Sequence, residues 1–207
     1  MWTPRTHFLK LVCVPAVALI CLLGVSSVSA QCSLQGLTKT GSAEALTAPE
    51  GKSYHAQCGL TVRLGQAPGF VTSAAPNNEK VLFARFYMNP KGVNLSSGDA
   101  AIFRARSGGA TQARLALRQV NGKLHFVTTY RTNGSTRTHG TLVPVREGWQ
   151  AVTVAWAAGA VGGSLAILID GQQELFISGL INENERINQV DLGVINDANG
   201  TGRLAFD

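Results

Sequence analysis

No stretch of the 207-residue chain repeats apolar residues at helical spacing over eleven positions. That excludes a helical bundle and a strand–helix alternation. No run of like charge reaches five residues, so there is no polybasic or acidic arm. Beyond residue 30 there is no Gly-x-Ser-x-Gly nucleophile turn, no phosphate loop and no dinucleotide fingerprint. His55, His125 and His139 are the only histidines there, and their spacing suits no metal. Cysteine is scarce: four in all, none in a C-x-x-C pair.

The one long apolar run lies at the N-terminus. Arg5 and Lys10 precede LVCVPAVALICLLGV, and the run closes on Val28-Ser29-Ala30, ahead of Gln31. This is the layout of a cleaved export signal over residues 1–30. Residues 31–207 then form one domain, secreted or delivered to a periplasmic or extracellular space, with no membrane span after cleavage. An uncleaved anchor is the alternative, against which stand the short run and Pro15. A lipoprotein attached at Cys32 would want a small residue where Gln31 stands.

The remaining 177 residues (207 less 30) suffice for a full core. They keep 16 basic side chains (18 less Arg5 and Lys10) against 12 acidic ones. This mild surplus fits an anionic partner and is too small for nucleic acid as the expected ligand. Cys32 and Cys58 form an even pair. In an exported chain they read as a disulfide worth about 3–4 kcal/mol in the chain-entropy model. Free redox thiols are the alternative and lack the usual spacing.

Residues 31–80 are broken by APEGKS, GQAPG and AAPNNE, with short strands expected near 32–38, 56–64 and 69–72. From Val81 the segments VLFARFYM, AAIFRAR, ARLALRQV, KLHFVTTY, TRTHGTLVPV, WQAVTVAW, SLAILID, ELFISG, NQVDLGVI and GRLAFD follow one another. Each is short, rich in β-branched and aromatic residues, and bounded by turn formers. The expected class is an all-β antiparallel sandwich or barrel. Asn121-Gly122 marks a two-residue hairpin, because both turn positions need positive φ. It sets Val120 opposite Lys123, Arg118 opposite His125, Leu117 opposite Phe126 and Leu115 opposite Thr128. Leu115, Leu117, Leu124, Phe126 and Tyr130 then face inward, and Arg114, Arg118, Lys123, His125 and Thr129 face out. Asn133-Gly134 and Asp170-Gly171 mark two more turns, so Asp170 is read as a turn corner rather than a catalyst.

The phrases LFARFYMNP, GDAAIFRARS, GWQAVTVAW, GSLAILIDGQ, INQVDLGVIN and GTGRLAFD, in that order, resemble the laminin-G-like, concanavalin A-like jelly-roll sandwiches of exported proteins. The resemblance covers Val81 to Asp207. It implies two antiparallel sheets, one of them concave, and no single function, because the fold hosts lectins, glycosidases, adhesion modules and structural domains.

A retaining glycosidase of this fold would carry a Glu-x-Asp-x-x-Glu strand with two carboxyl groups about 5 Å apart. None is present. Glu183-x-Glu185 sits in a polar segment, LINENERI, and reads as solvated. Calcium could use Asp99, Asp191, Asn196, Asp197 and Asn199, but INDANGTG lacks the acidic density of a dedicated loop; no cofactor is expected. Trp149 and Trp156 read as core or rim packing. The candidate site is basic. Arg114, Arg118 and His125 share a face; Ile102, Arg104 and Arg106 share one side of their strand; Arg85 and Tyr87 alternate on FARFY. If those strands were neighbours in the concave sheet, arginine forks and an aromatic ring would line a groove suited to carboxylate, sulfate and sugar. An ordinary solvated sheet face is the competing reading. The expectation is a secreted, non-catalytic module binding a saccharide or acidic polysaccharide, with a structural or adhesion domain binding a protein partner as the alternative and glycoside hydrolysis disfavoured.

Overall fold

The computed structural model describes residues 36–47, 54, 58–74 and 76–207. The export signal, its cleavage site, Cys32 of the expected disulfide and His55 lie outside the described residues. The rest is an antiparallel jelly-roll sandwich. In spatial order the first sheet runs β1 (Leu37–Gly41), β4 (Gly69–Ser73), β15 (Gln189–Val194), β7 (Asp99–Ser107), β8 (Ala110–Val120), β9 (Lys123–Thr132) and β10 (Ser135–Thr138). An eighth strand, β11 (Val143–Pro144), pairs with β9. The second sheet runs β14 (Gln172–Leu180), β13 (Gly163–Ile169), β12 (Gln150–Ala157), β5 (Val81–Asn89), β17 (Arg203–Phe206), β3 (Cys58–Arg63) and β2 (Glu44–Thr47). A separate two-stranded ribbon joins β6 (Asn94–Ser97) to β16 (Asn199–Thr201).

The hairpins form where local chemistry asks for them. Asn121, Asn133 and Asp170 each hold a positive φ, followed by Gly122, Gly134 and Gly171. The β8–β9 register is the expected one, including Arg118 against His125 and Leu117 against Phe126. Asp170 is the corner between β13 and β14. Its carboxylate accepts the Ala151 amide proton at 2.8 Å and a proton from Arg146 Nη1 at 3.0 Å. Its oxygens hold a turn together.

Alternation sorts each strand into a core face and an outer face. Leu115, Leu117 and Phe126 from one sheet meet Phe86, Met88, Val152, Val154, Trp156 and Phe206 from the other. Phe86 and Phe103 stack across the sandwich with centroids 5.8 Å apart, and Phe206 tilts against Phe86. Trp156 is a core residue, 1% exposed. Phe103→Ala should cost about 3–5 kcal/mol, because it removes a buried ring and leaves a cavity between two sheets. Urea unfolding checks this; a loss below about 1 kcal/mol would show that the sheets close over the gap.

Two irregularities correct the period-two reading. Ala101 pairs with Ala116 and Phe103 with Leu115, so Ile102 is an extra residue on β7. Ile102 therefore does not share the outer side with Arg104 and Arg106; it is fully buried in the core beside Phe103. Ala105 pairs with Ala113 and Arg106 with Thr111, so Gln112 is the extra residue on β8. The segment TRTHGTLVPV is two strands, β10 and β11, rather than one.

Candidate functional site

The outer face of the first sheet carries the basic residues. Across β7 and β8, three pairs follow in order: Asp99 with Arg118, Ala101 with Ala116, and Arg104 with Arg114. The two alanines are buried yet lie outside the core, on the outer side of their strands. Their small side chains make a low floor between two charged steps. A groove of about 550 Å³ opens there, lined by Leu95 to Asp99, Arg114, Arg118, Gln119 and Asn196. It continues into a hollow of about 320 Å³ bounded by Ala101, Arg104, Thr111, Arg114, Ile195 and Asn196. Arg114 and Asn196 belong to both.

Amide side chains hold the rim in place. Gln119 Oε1 accepts the Leu95 N–H at 2.7 Å, pinning β6 over β8. Asn196 Oδ1 accepts the Ala101 N–H at 2.6 Å, and its Nδ2 donates to the Asp99 carbonyl at 2.8 Å. Both residues act as struts, and each bond spans elements distant in sequence.

Most of the positive charge is already answered. Arg118 forms a two-pronged pair with Asp99, Nε to Oδ1 at 2.7 Å and Nη2 to Oδ2 at 2.8 Å. The hydrogen bond to Asp99 raises the Arg118 pKa above its ordinary value, with burial opposing and the Asp99 charge assisting. Asp191 is completely buried. It accepts from Arg104 Nη2 at 2.7 Å, Arg106 Nε at 3.0 Å and Thr72 Oγ1 at 2.7 Å. Arg104 also lies over the Phe70 ring, 6.0 Å from its centroid.

Arg114 differs from the other groove arginines. It makes no ion pair among the described residues, and its Nε is buried without a hydrogen-bond partner. A guanidinium desolvated on one side and unanswered by any carboxylate is poised for an anion from outside. Across from Arg118, His125 Nδ1 sits 3.1 Å from the Lys123 carbonyl oxygen. A proton on Nδ1 leaves Nε2 as the acceptor.

Of the seven expected site residues, Arg104, Arg106, Arg114, Arg118 and His125 do come to one face. Arg85 and Tyr87 do not. Strand β5 lies in the second sheet, between β12 and β17, and its core side is taken by Phe86 and Met88. Arg85 and Tyr87 therefore face the opposite surface of the sandwich. There Arg85 Nη2 donates to the Tyr87 hydroxyl at 3.2 Å. Tyr54 stacks on Tyr87 at 4.1 Å, and Trp149 tilts against Tyr54 at 6.0 Å. The stretch around Glu185 is also not simply solvated. Glu185 accepts from Gln112 Nε2 at 2.8 Å and from Arg131 Nε at 3.0 Å, while Glu183 is exposed.

Of the oxygens considered for calcium, those of Asp99 and Asp191 are engaged by arginines and Asn196 Oδ1 by the Ala101 amide. Asn199 Nδ2 donates to Ser97 Oγ at 3.2 Å. No group of three His, Cys, Asp or Glu converges among the described residues. Asp191, Asn196 and Gln119 are the functional-site residues that sequence reasoning misses or assigns to the wrong job. Their signal, a polar residue inside or beside a strand, has no meaning until the neighbouring strand is known.

No family model matches the chain, and neither does any curated protein. Solved structures do. The alginate lyase Aly36B is 15% identical, with a TM-score of 0.55 over 79% of this chain and 84% of its own. The Bacillus licheniformis β-glucanase is 14% identical, with a TM-score of 0.52 over 85% and 91%. The T. cruzi calreticulin globular domain is also 14% identical, at 0.52 over 84% of each chain. The same sandwich thus carries a lyase and a glucanase, which corrects the expectation of a non-catalytic module. The absent Glu-x-Asp-x-x-Glu strand removes one reaction and leaves catalysis itself open. At such identities the likeness establishes the fold alone, a concanavalin A-like sandwich of the β-glucanase type.

Proposed function

We propose that the chain acts on an acidic polysaccharide laid across the outer face of the first sheet, and that it cleaves that polymer by elimination. The observation that carries this reading is Arg114, the one groove arginine with no carboxylate of its own among the described residues. A sugar carboxylate placed against it completes the charge pairing that the fold leaves open. The similarity to alginate lyase and β-glucanase structures supports glycan chemistry on this scaffold.

The residues at hand fit elimination better than hydrolysis. Hydrolysis needs two carboxyl groups free to give and take protons on either side of the bond. Asp99 and Asp191 line or underlie the groove, but both are tied to arginines. Elimination needs a cation on the substrate carboxylate and a base for the proton on the adjacent carbon. Arg114 supplies the first and His125 Nε2 the second. The C–H electron pair becomes the new double bond, and the glycosidic oxygen leaves with a proton from water.

Incubating the protein with uronate-containing polysaccharides and following ultraviolet absorbance from unsaturated sugar ends tests this directly. Arg114→Gln should weaken productive binding by about ten- to a hundredfold, and added salt should do likewise. A protein that neither binds nor cleaves any acidic polysaccharide would overturn the proposal. Reducing ends released without unsaturation would replace elimination by hydrolysis.

A further inference from the structure

A second basic cleft lies on the other sheet. Arg63 on β3 and Arg203 on β17 stand directly opposite each other in the antiparallel register. The residues flanking Arg63, Val62 on β3 and Leu64 just past its end, belong to the core, and on β17 Leu204 does the same. Both arginines thus face outward, and both are exposed. Neither makes a hydrogen bond or ion pair among the described residues. Like charges directly opposite on one face destabilise a sheet, so the arrangement asks for a counter-charge that these strands do not supply.

The surroundings fit one. The two arginines open on a cleft of about 570 Å³ whose other walls are Leu64, Gly65, Gln66, Gly200, Thr201 and Gly202. None of these lining residues carries a carboxylate. Gln66 and Thr201 are exposed and add two neutral donors. The glycines are required by the backbone: Gly65 and Gly202 hold positive φ. A Cβ on Gly202 would fall against the Gly92 carbonyl, and one on Gly65 against that of Gly200. These close approaches, with Leu64 N–H donating to the Gly202 carbonyl at 3.1 Å and Gly65 N–H to that of Ala198 at 3.2 Å, fix the cleft's walls.

We infer that this cleft is a second anion site, binding a single sulfate or carboxylate group between the Arg63 and Arg203 guanidinium groups. The β6–β16 ribbon lies between the two sites, with Leu95 to Ser97 on the groove and Gly200 and Thr201 on the cleft. That the anion belongs to the same acidic polymer rests on the function proposed above; the existence of the site does not.

The test uses small probes. The protein is titrated with inorganic sulfate and with glucuronate at constant ionic strength, and arginine side-chain NMR signals and the melting temperature are followed. Sulfate or glucuronate should shift the Arg63 and Arg203 signals and raise the melting temperature. Arg63→Gln or Arg203→Gln should weaken that response at least about tenfold, whereas Arg137→Gln on β10 should not. Without probe, at low salt, Arg203→Gln should melt no lower than the parent, because it relieves repulsion. Unmoved Arg63 and Arg203 signals, or a response unchanged in both variants, would overturn the site. Movement of the Arg114 signal alone would leave the groove standing and remove this cleft.

Discussion

Asp191→Ala should lower the stability of the sandwich by about 3–5 kcal/mol, the range for removing one partner of a buried ion pair. For a domain of this size that is roughly 10 °C in melting temperature. The carboxylate is completely buried on β15 and answers two arginines from the next strand and a threonine from the strand on its other side. Arg104 and Arg106 are 29% and 24% exposed, so water reaches them only in part. Removing the acid leaves two cations beside the emptied position on β15, with Thr72 unanswered. Asp191→Asn keeps the shape and the threonine contact and should cost less. Denaturant unfolding measures both. A loss under about 1 kcal/mol for the alanine variant would mean that the arginines swing into solvent freely, and that Asp191 does not brace the groove wall.

His125→Ala should leave binding nearly intact and reduce turnover by about a hundredfold to ten-thousandfold, the usual contribution of a positioned general base. Arg114→Ala should instead act on the substrate's charge, raising KM as well as lowering kcat. The two side chains belong to adjacent strands of one face, Arg114 opposite Thr129 and His125 opposite Arg118. Their separation along the strands is about 13 Å at the Cα atoms, so the two side chains have to lean toward each other over Ala116 for one sugar's carboxylate and the proton beside it to meet both. Steady-state kinetics on an acidic polysaccharide, with binding measured separately, gives the split. Parent-level production of unsaturated ends by His125→Ala would remove the imidazole from the mechanism and leave Arg114 as an anchor only.

The residues differ in how much they declare by themselves. Asn121-Gly122, Asn133-Gly134 and Asp170-Gly171 announce their hairpins because a turn is decided by two adjacent residues. The β8–β9 register follows, and with it the shared face of Arg114, Arg118 and His125. Arg85 and Tyr87 are misplaced by the sequence reading for the complementary reason. Alternation says that they face away from Phe86, but not which sheet holds β5. That is decided by pairing with β12 and β17, both far downstream in the chain. Asp191 lies 85 to 87 positions from its arginines, so its polar side chain inside NQVDLGVI looks like a loose loop ligand. Glu185 looks solvated because Gln112 and Arg131 reach it from distant strands. The catalytic question follows the same pattern. A missing local motif excludes one arrangement of carboxylates, but a site assembled from several strands has no motif to miss.

The additional residue at Ile102 acts on β7 as a change of phase. Before it, odd-numbered positions such as Asp99 and Ala101 look outward; after it, even-numbered Arg104 and Arg106 do. The strand is therefore two reading frames spliced at one position. The splice cannot be deleted: removing Ile102 would turn either the acid that holds Arg118 or the arginines that hold Asp191 toward the hydrocarbon interior. The charges that β7 gives the groove thus depend on an inserted residue whose side chain lies on the other face of the sheet.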